Sequence, residues 1–253
     1  METTKVELDK ELTVENPVFI EGLAGIGHIG KTSVAYLADH LGAEQVGEIY
    51  SHHFPPYTII KDDKTVELLR NKIYQLKRDD ASDLVMIEGS AQAQTPQGHF
   101  EVAEKILDFM EENNPEQLIT IGGYGTGDVV EDPSVFGAFS NTDIKQNYSG
   151  HDIELEHDVD QIVGASGLLL GLGNDRGFEG VCLLGETPGF LLSDPKATEA
   201  VLKVVEDILD LDLDYSDLDQ KVEESQEVLK KLQNMKQQQG QDSEQSSDLG
   251  YIG

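Results

Sequence analysis

Apolar and polar positions along this chain follow two rhythms. Continuous apolar runs mark buried strands, and spacing by three and four marks the helices between them. Pro17 to Thr32 predicts a short apolar strand followed by a glycine-rich turn. The next segment has Val34, Leu37, Ala38 and Leu41 at helical spacing, with Gly42 as its stop. Glu44 to Tyr50 reads as a second strand, broken by His52-His53-Phe54-Pro55-Pro56. Tyr57 to Ile60 and Lys64 to Leu68 flank Asp62-Asp63 and predict a hairpin, continued by Lys72 to Leu76 as a meander along one sheet edge.

Asp83 to Gly89 is apolar enough for a central strand. Gln97 to Asn113 predicts an amphipathic helix with Val102, Ile106, Leu107 and Met110 inward. Strands follow at Gln117 to Gly123, Val135 to Asn141 and Glu179 to Glu186, with a glycine-tolerant helix over Gly164 to Gly173. Asp194-Pro195 is a helix start, and that helix runs to about Leu209. Strands alternating with helices give an α/β domain over residues 1–210, with a largely parallel central sheet flanked by helices.

The pattern then changes. Residues 215 to 239 carry a narrow stripe of Leu218, Val222, Leu229, Leu232 and Met235 among Glu, Gln and Lys. This predicts a long helical extension over 211–239 that packs between subunits of a homo-oligomer. Residues 240–253 read as a flexible polar tail, with Leu249, Tyr251, Ile252 and Gly253 as apolar bait for a partner.

Composition narrows the function. Against 49 acidic residues stand 18 basic ones, a formal charge of −31. Such a surface repels nucleic acid and anionic membranes, so neither is expected as a partner. It also suits a cytoplasm of very high salt, where screening makes self-repulsion tolerable. The single cysteine, Cys182, lies in an apolar run and reads as a buried small hydrophobe in a reducing compartment. No basic-then-apolar leader is visible at the start and no apolar run reaches membrane-spanning length, so a cytoplasmic location is expected.

Candidate chemistry centres on the turn after the first strand. Gly25-x-Gly27-x-x-Gly30 fits the dinucleotide fingerprint, and Gly25-x4-Gly30-Lys31-Thr32 fits the phosphate-loop pattern. Glycines let backbone N–H groups approach an anion, a helix offers its positive end, and Lys31 supplies a charge. A tight strand-to-helix turn needs small residues with or without a ligand. Supporting parts are thin: Glu88 is the one acidic strand end placed for magnesium, where aspartate is usual, and only three arginines occur. The seven histidines are scattered and no zinc spacing occurs, so no metal is expected. Ser90, in Glu88-Gly89-Ser90-Ala91-Gln92, is no nucleophile elbow. Small and polar residues do gather where the strands end, at Gly89-Ser90, Gly122 to Gly127 and Gly185 to Gly189.

These segments together resemble the proteasome-assembly-chaperone family, in its archaeal branch. The resemblance rests on Gly25 to Gly30, Gly122-Gly123-Tyr124, Gly164 to Gly173, Leu184 to Gly189 and Asp194-Pro195. It implies a nucleoside-phosphorylase-like α/β fold, no catalytic residues, no cofactor, and a glycine turn that serves the architecture. It also implies docking on proteasome core α subunits through a C-terminal hydrophobic-tyrosine-any tail. Here the tyrosine is third from the end, in Tyr251-Ile252-Gly253, where that motif has it second. The alternative reading is a small-molecule or nucleotide-binding enzyme using Gly25, Gly27, Gly30, Lys31 and Thr32.

Overall fold

The computed structural model describes residues 3–225. Four parallel strands form its heart, in the order β7 (Leu84–Gly89), β2 (Val18–Leu23), β8 (Gln117–Gly125) and β10 (Gly180–Thr187). Every residue of β2 and β7 is buried, which is why Val18–Ile20 and Leu84–Ile87 read as apolar runs; Glu21 and Glu88 are the charged residues buried with them. Antiparallel strands complete the sheet on both sides. Beyond β7 lie β6 (Asn71–Leu76), β3 (Glu44–Ser51) and the edge strand β1 (Thr4–Leu8), and beyond β10 lies β9 (Val135–Phe139). The eight-stranded sheet is therefore parallel at its centre and antiparallel at its flanks.

Helices cover both faces. On one, α1 (Ile29–His40) and α5 (Pro195–Leu209) pack together. The other holds α2 (Pro96–Glu112) and α4 (Ala165–Asp175), closing a core around Phe19, Ile87, Ile106, Leu107 and Leu118. Caps start two of them where the sequence places them. Thr95 accepts a hydrogen bond from the Gly98 N–H ahead of α2, and Asp194 accepts one from the Ala197 N–H ahead of α5, each with proline at the first helical turn. Val102, Ile106, Leu107 and Met110 of α2 all face the core. A short helix, α3 (Thr142–Asn147), and β1 are the elements that the periodicity does not reveal.

The meander departs from expectation. β4 (Thr58–Ile60) and β5 (Val66–Leu68) do pair as an antiparallel hairpin, but in a two-stranded sheet of their own. Only β6 returns to the main sheet, between β3 and β7 rather than at the edge. The hairpin lacks the period-two burial that entry into a packed sheet requires, since all six of its strand positions are exposed.

The three arginines all serve the scaffold. Arg70 pairs with Glu7 at 2.9 Å, Arg78 donates to the Leu209 carbonyl at 2.7 Å, and Arg176 at the end of α4 reaches Asp108 of α2 at 2.9 Å. The chain divides after Leu213, and in the second unit residues 216–225 are helical. The expected remainder of that helix and the tail residues Leu249, Tyr251, Ile252 and Gly253 lie outside the described residues. Among the described residues no helix is long and apolar enough to cross a membrane.

Candidate functional site

The four parallel strands end along one edge, and the glycine turn sits there between β2 and α1. After Leu23 the chain passes through Ala24 and Gly25 into a single 3-10 turn, Ile26–His28, and directly into α1. Gly27 has φ +61°, which an L side chain seldom adopts. A Cβ built there would also lie 3.3 Å from that of Asp194. Two other glycines let main chains touch. A Cβ on Gly22 would overlap the Gly30 carbonyl, and one on Gly30 would overlap the carbonyl of Ile121 in β8. Gly22 and Gly30 thus bring α1 down onto β2 and β8. In Gly25 the contrast is clear, because a Cβ there would meet nothing nearer than 3.6 Å.

Side chains then sew the loops of this edge together. Gln92, on the loop after β7, donates to the Ala24 carbonyl at 2.8 Å and accepts from the Ala165 N–H at 3.1 Å. It joins the glycine turn to the start of α4. The buried Asp194 does the same on the other side. Its N–H donates to the Gly27 carbonyl at 2.9 Å, and its carboxylate accepts from the Thr187 hydroxyl at 2.7 Å and the Ala197 N–H at 3.1 Å. A phosphate loop keeps its N–H groups open to an anion, whereas here a buried carboxylate stands against the turn. Sequence reasoning missed Gln92, whose only signal was a polar residue in a small-residue loop at a strand end.

The residues of the phosphate-loop pattern are brought together only in part. Lys31 and Thr32 are half-buried in the first turn of α1. Burial, aided by the nearby Lys31 charge, holds His28 below the usual imidazole range. Glu88 is buried in β7 with Lys72 of the neighbouring strand 3.9 Å away, so its carboxylate is shared with the antiparallel flank. Around the same edge, Ile26, Val129, Phe190 and Leu192 are exposed, the last at 79%. The edge therefore carries exposed apolar side chains among its small and polar residues.

One buried polar row lies beneath α4. Glu21 of β2, Thr120 of β8 and Cys182 of β10 are register partners across the parallel strands. Thr120 donates to the Ser166 carbonyl at 3.2 Å, and the Ser166 hydroxyl to the Ile121 carbonyl at 3.2 Å. Glu21 is 1% exposed, and among the described residues neither carboxylate oxygen has a well-formed hydrogen bond. Burial pushes its pKa up to about 8, against weaker pulls from Ser166 and the Leu23 backbone. Burial likewise pushes the Cys182 thiol up to about 12, which leaves it inert as a nucleophile. Among the described residues no group of three His, Cys, Asp or Glu side chains is placed to hold a metal ion.

Comparison with known proteins adds to this geometry. The model of the PAC2 family matches residues 19–233. An uncharacterised protein of Methanocaldococcus jannaschii is 31% identical over 244 residues, covering 95% of this chain and 93% of that protein. The crystal structure of Pyrococcus furiosus PbaB, an archaeal proteasome activator, is similar at a TM-score of 0.87 and 38% identity. That match covers 92% of this chain and 100% of the other. Pyrococcus furiosus PbaA, an archaeal homologue of proteasome-assembly chaperone, shares the fold at a TM-score of 0.74 and 24% identity over 98% and 99% of the two chains.

Proposed function

The chain belongs to the PAC2 family, and on that premise we propose that it is a non-enzymatic proteasome assembly chaperone or proteasome-associated adaptor, acting as a homo-oligomer. The likeness to PbaB over the whole length of that archaeal activator carries this reading. The glycine turn is consistent with it, because Gly22 and Gly30 serve close main-chain packing of α1 on β2 and β8, and the buried carboxylate of Asp194 stands beside Gly27. In this reading Gly25, Gly27, Gly30, Lys31 and Thr32 shape the fold and hold no nucleotide.

The partner is the α-subunit surface of an archaeal proteasome, in a cytoplasm whose high salt the charge of −31 suits. Leu249, Tyr251, Ile252 and Gly253 provide the anchor, since a tyrosine buries a large amphipathic ring with little side-chain entropy to lose. The polar helix begun at residues 216–225 packs between subunits. Removing residues 211–253 is then expected to lower the mass in light scattering, and an unchanged mass would make that helix a free arm or one folded back on its own chain.

The decisive experiment is capture of purified proteasome α rings in high-salt buffer by the full chain and by a chain lacking residues 249–253. Loss of capture with an unchanged melting temperature is expected. Equal capture would remove the tail from the docking role. Thermal-shift measurements with ATP-Mg, NAD and nucleosides test the enzyme alternative, because a ligand of the native state raises its stability by mass action. A shift that Lys31→Ala abolishes would restore the phosphate-loop reading.

A further inference from the structure

Glu21 is the buried acid that its surroundings leave unanswered. It lies mid-sheet, in register with Thr120 of β8 on one side and Ile87 of β7 on the other, on the face that α4 covers. Among the described residues neither of its oxygens has a well-formed hydrogen bond, and neither touches solvent. The Ser166 hydroxyl and the Leu23 main chain favour its charge, but both count for less than burial. A carboxylate so placed needs water or a counter-charge, so the group fits its site only while it keeps its proton.

No charge comes to its aid from the elements around it. Cys182, next along the same row, is the other titratable group there, and burial pushes its thiol up to about 12, so it stays neutral. The buried residues of α2 are all apolar or glycine, and those of α4 are Ala165, Ser166, Leu169, Leu170 and Gly173. Gln92, from the loop after β7, is uncharged. On the segment ahead of α4, Asp158 and Asp160 are exposed, and His157 donates to the Gly137 carbonyl at 3.0 Å. The helix α1 packs on the opposite face of β2, against Gly22.

The cover over Glu21 is lightly held. Thr120 reaches the Ser166 carbonyl at 3.2 Å, the Ser166 hydroxyl reaches the Ile121 carbonyl at 3.2 Å, and the Ala165 N–H reaches Gln92 at 3.1 Å. These lengths are at the long end of the hydrogen-bond range. Gly164, just ahead of the helix, has φ +105° and no side chain to pack, which suits a hinge. A Cβ on Gly167 would overlap the Ile162 carbonyl, so the segment before α4 rests against the same turn.

We propose that Glu21 and the first turn of α4 form a proton-held latch, seated while Glu21 is protonated and lifting to admit water when the proton leaves. Beneath it Leu170 and Leu184 pack around Cys182, with Tyr124 and Phe136 against them. Lifting therefore turns the loss of one proton into exposed apolar surface. The sign follows from the folded pKa of about 8 against the ordinary 4.5. Between those values the open form gains about tenfold on the closed one per pH unit, and above about 8 the gain levels off. The latch involves one chain alone, so it stands or falls apart from the oligomer and the proteasome.

Native-state amide exchange on the full-length chain from pH 6 to 8 tests it, read as protection so that the intrinsic pH dependence of exchange drops out. Ala165, Leu168 and Leu169 are expected to be less protected than the amides of β8, and to lose about tenfold per pH unit. In Glu21→Gln their protection should stay flat. Maleimide labelling of Cys182, the single cysteine, should quicken relative to Glu21→Gln by the same factor, since the ionisation of the thiol is common to both. Should Glu21→Gln fail to fold, the wild-type profile decides. Protection that does not change with pH would show that the turn opens without exposing Glu21. Protection equal to that of β8 would show that it opens only with the whole molecule. Either result, or a labelling ratio that does not change with pH, would overturn the proposal.

Discussion

Single residues separate architecture from chemistry at the glycine turn. Gly30→Ala forces a Cβ into the Ile121 carbonyl, and with main chain on both sides nothing yields easily. A loss of about 3 kcal/mol or more is expected, readable as a fall of roughly 10 °C in melting temperature. Lys31→Ala should leave stability within about 0.5 kcal/mol, and a larger loss would mean the lysine is structural after all. Asp194→Ala removes a helix cap and strands the buried Thr187 hydroxyl, for a cost of about 2 kcal/mol. Asp194→Asn should recover most of that cost in urea titrations. Glu21 adds a pH dependence. Its folded pKa, about 8, lies above the ordinary 4.5, so the folded state binds the proton more tightly. The stability this contributes is fully present below about pH 4.5 and is lost as pH rises through about 8, at about 1.4 kcal/mol for every tenfold difference in proton affinity between the folded and unfolded states. Melting temperatures measured from pH 6 to 9 should therefore fall in wild type and stay flatter in Glu21→Gln. Parallel curves would remove Glu21 as the cause.

At the scale of elements, the sequence was legible wherever a local rule decides the outcome. The unbroken apolar run at Leu84 to Ile87 announces a strand buried on both faces, and Asp194-Pro195 announces α5. β1 was not legible, because Thr4–Leu8 is an edge strand with only Val6 and Leu8 to show a period. The hairpin was legible as a hairpin but not in its placement, since sheet membership is set by partners far along the chain. The same limit applies to the turn. Its glycine pattern suits a phosphate loop, and what sets it apart is the approach of β8, the contact with Asp194 and the bridge made by Gln92, all non-local. Gln92 carries the element-scale prediction. Gln92→Ala leaves the first turn of α4 without its tie to Ala24, so amide exchange at Ala165 to Leu168 should quicken about tenfold. Exchange at wild-type rates would show that helix packing alone holds that end.

For the whole molecule, charge sets the working conditions. With 49 acidic and 18 basic residues, self-repulsion opposes the folded state until salt screens it. The melting temperature should climb by several degrees between 0.1 and 2 M KCl, and a flat response would detach the acidity from stability. The strand order has a separate outcome, in time rather than energy. β2 lies between β7 and β8, and both neighbours follow it in the chain, the second beginning only at Gln117. At roughly 5–20 residues per second of synthesis, several seconds pass in which Val18-Phe19-Ile20 has left the ribosome with no sheet to enter. During those seconds the newborn chain carries its own centre uncovered, the state most open to aggregation until β7 and β8 arrive.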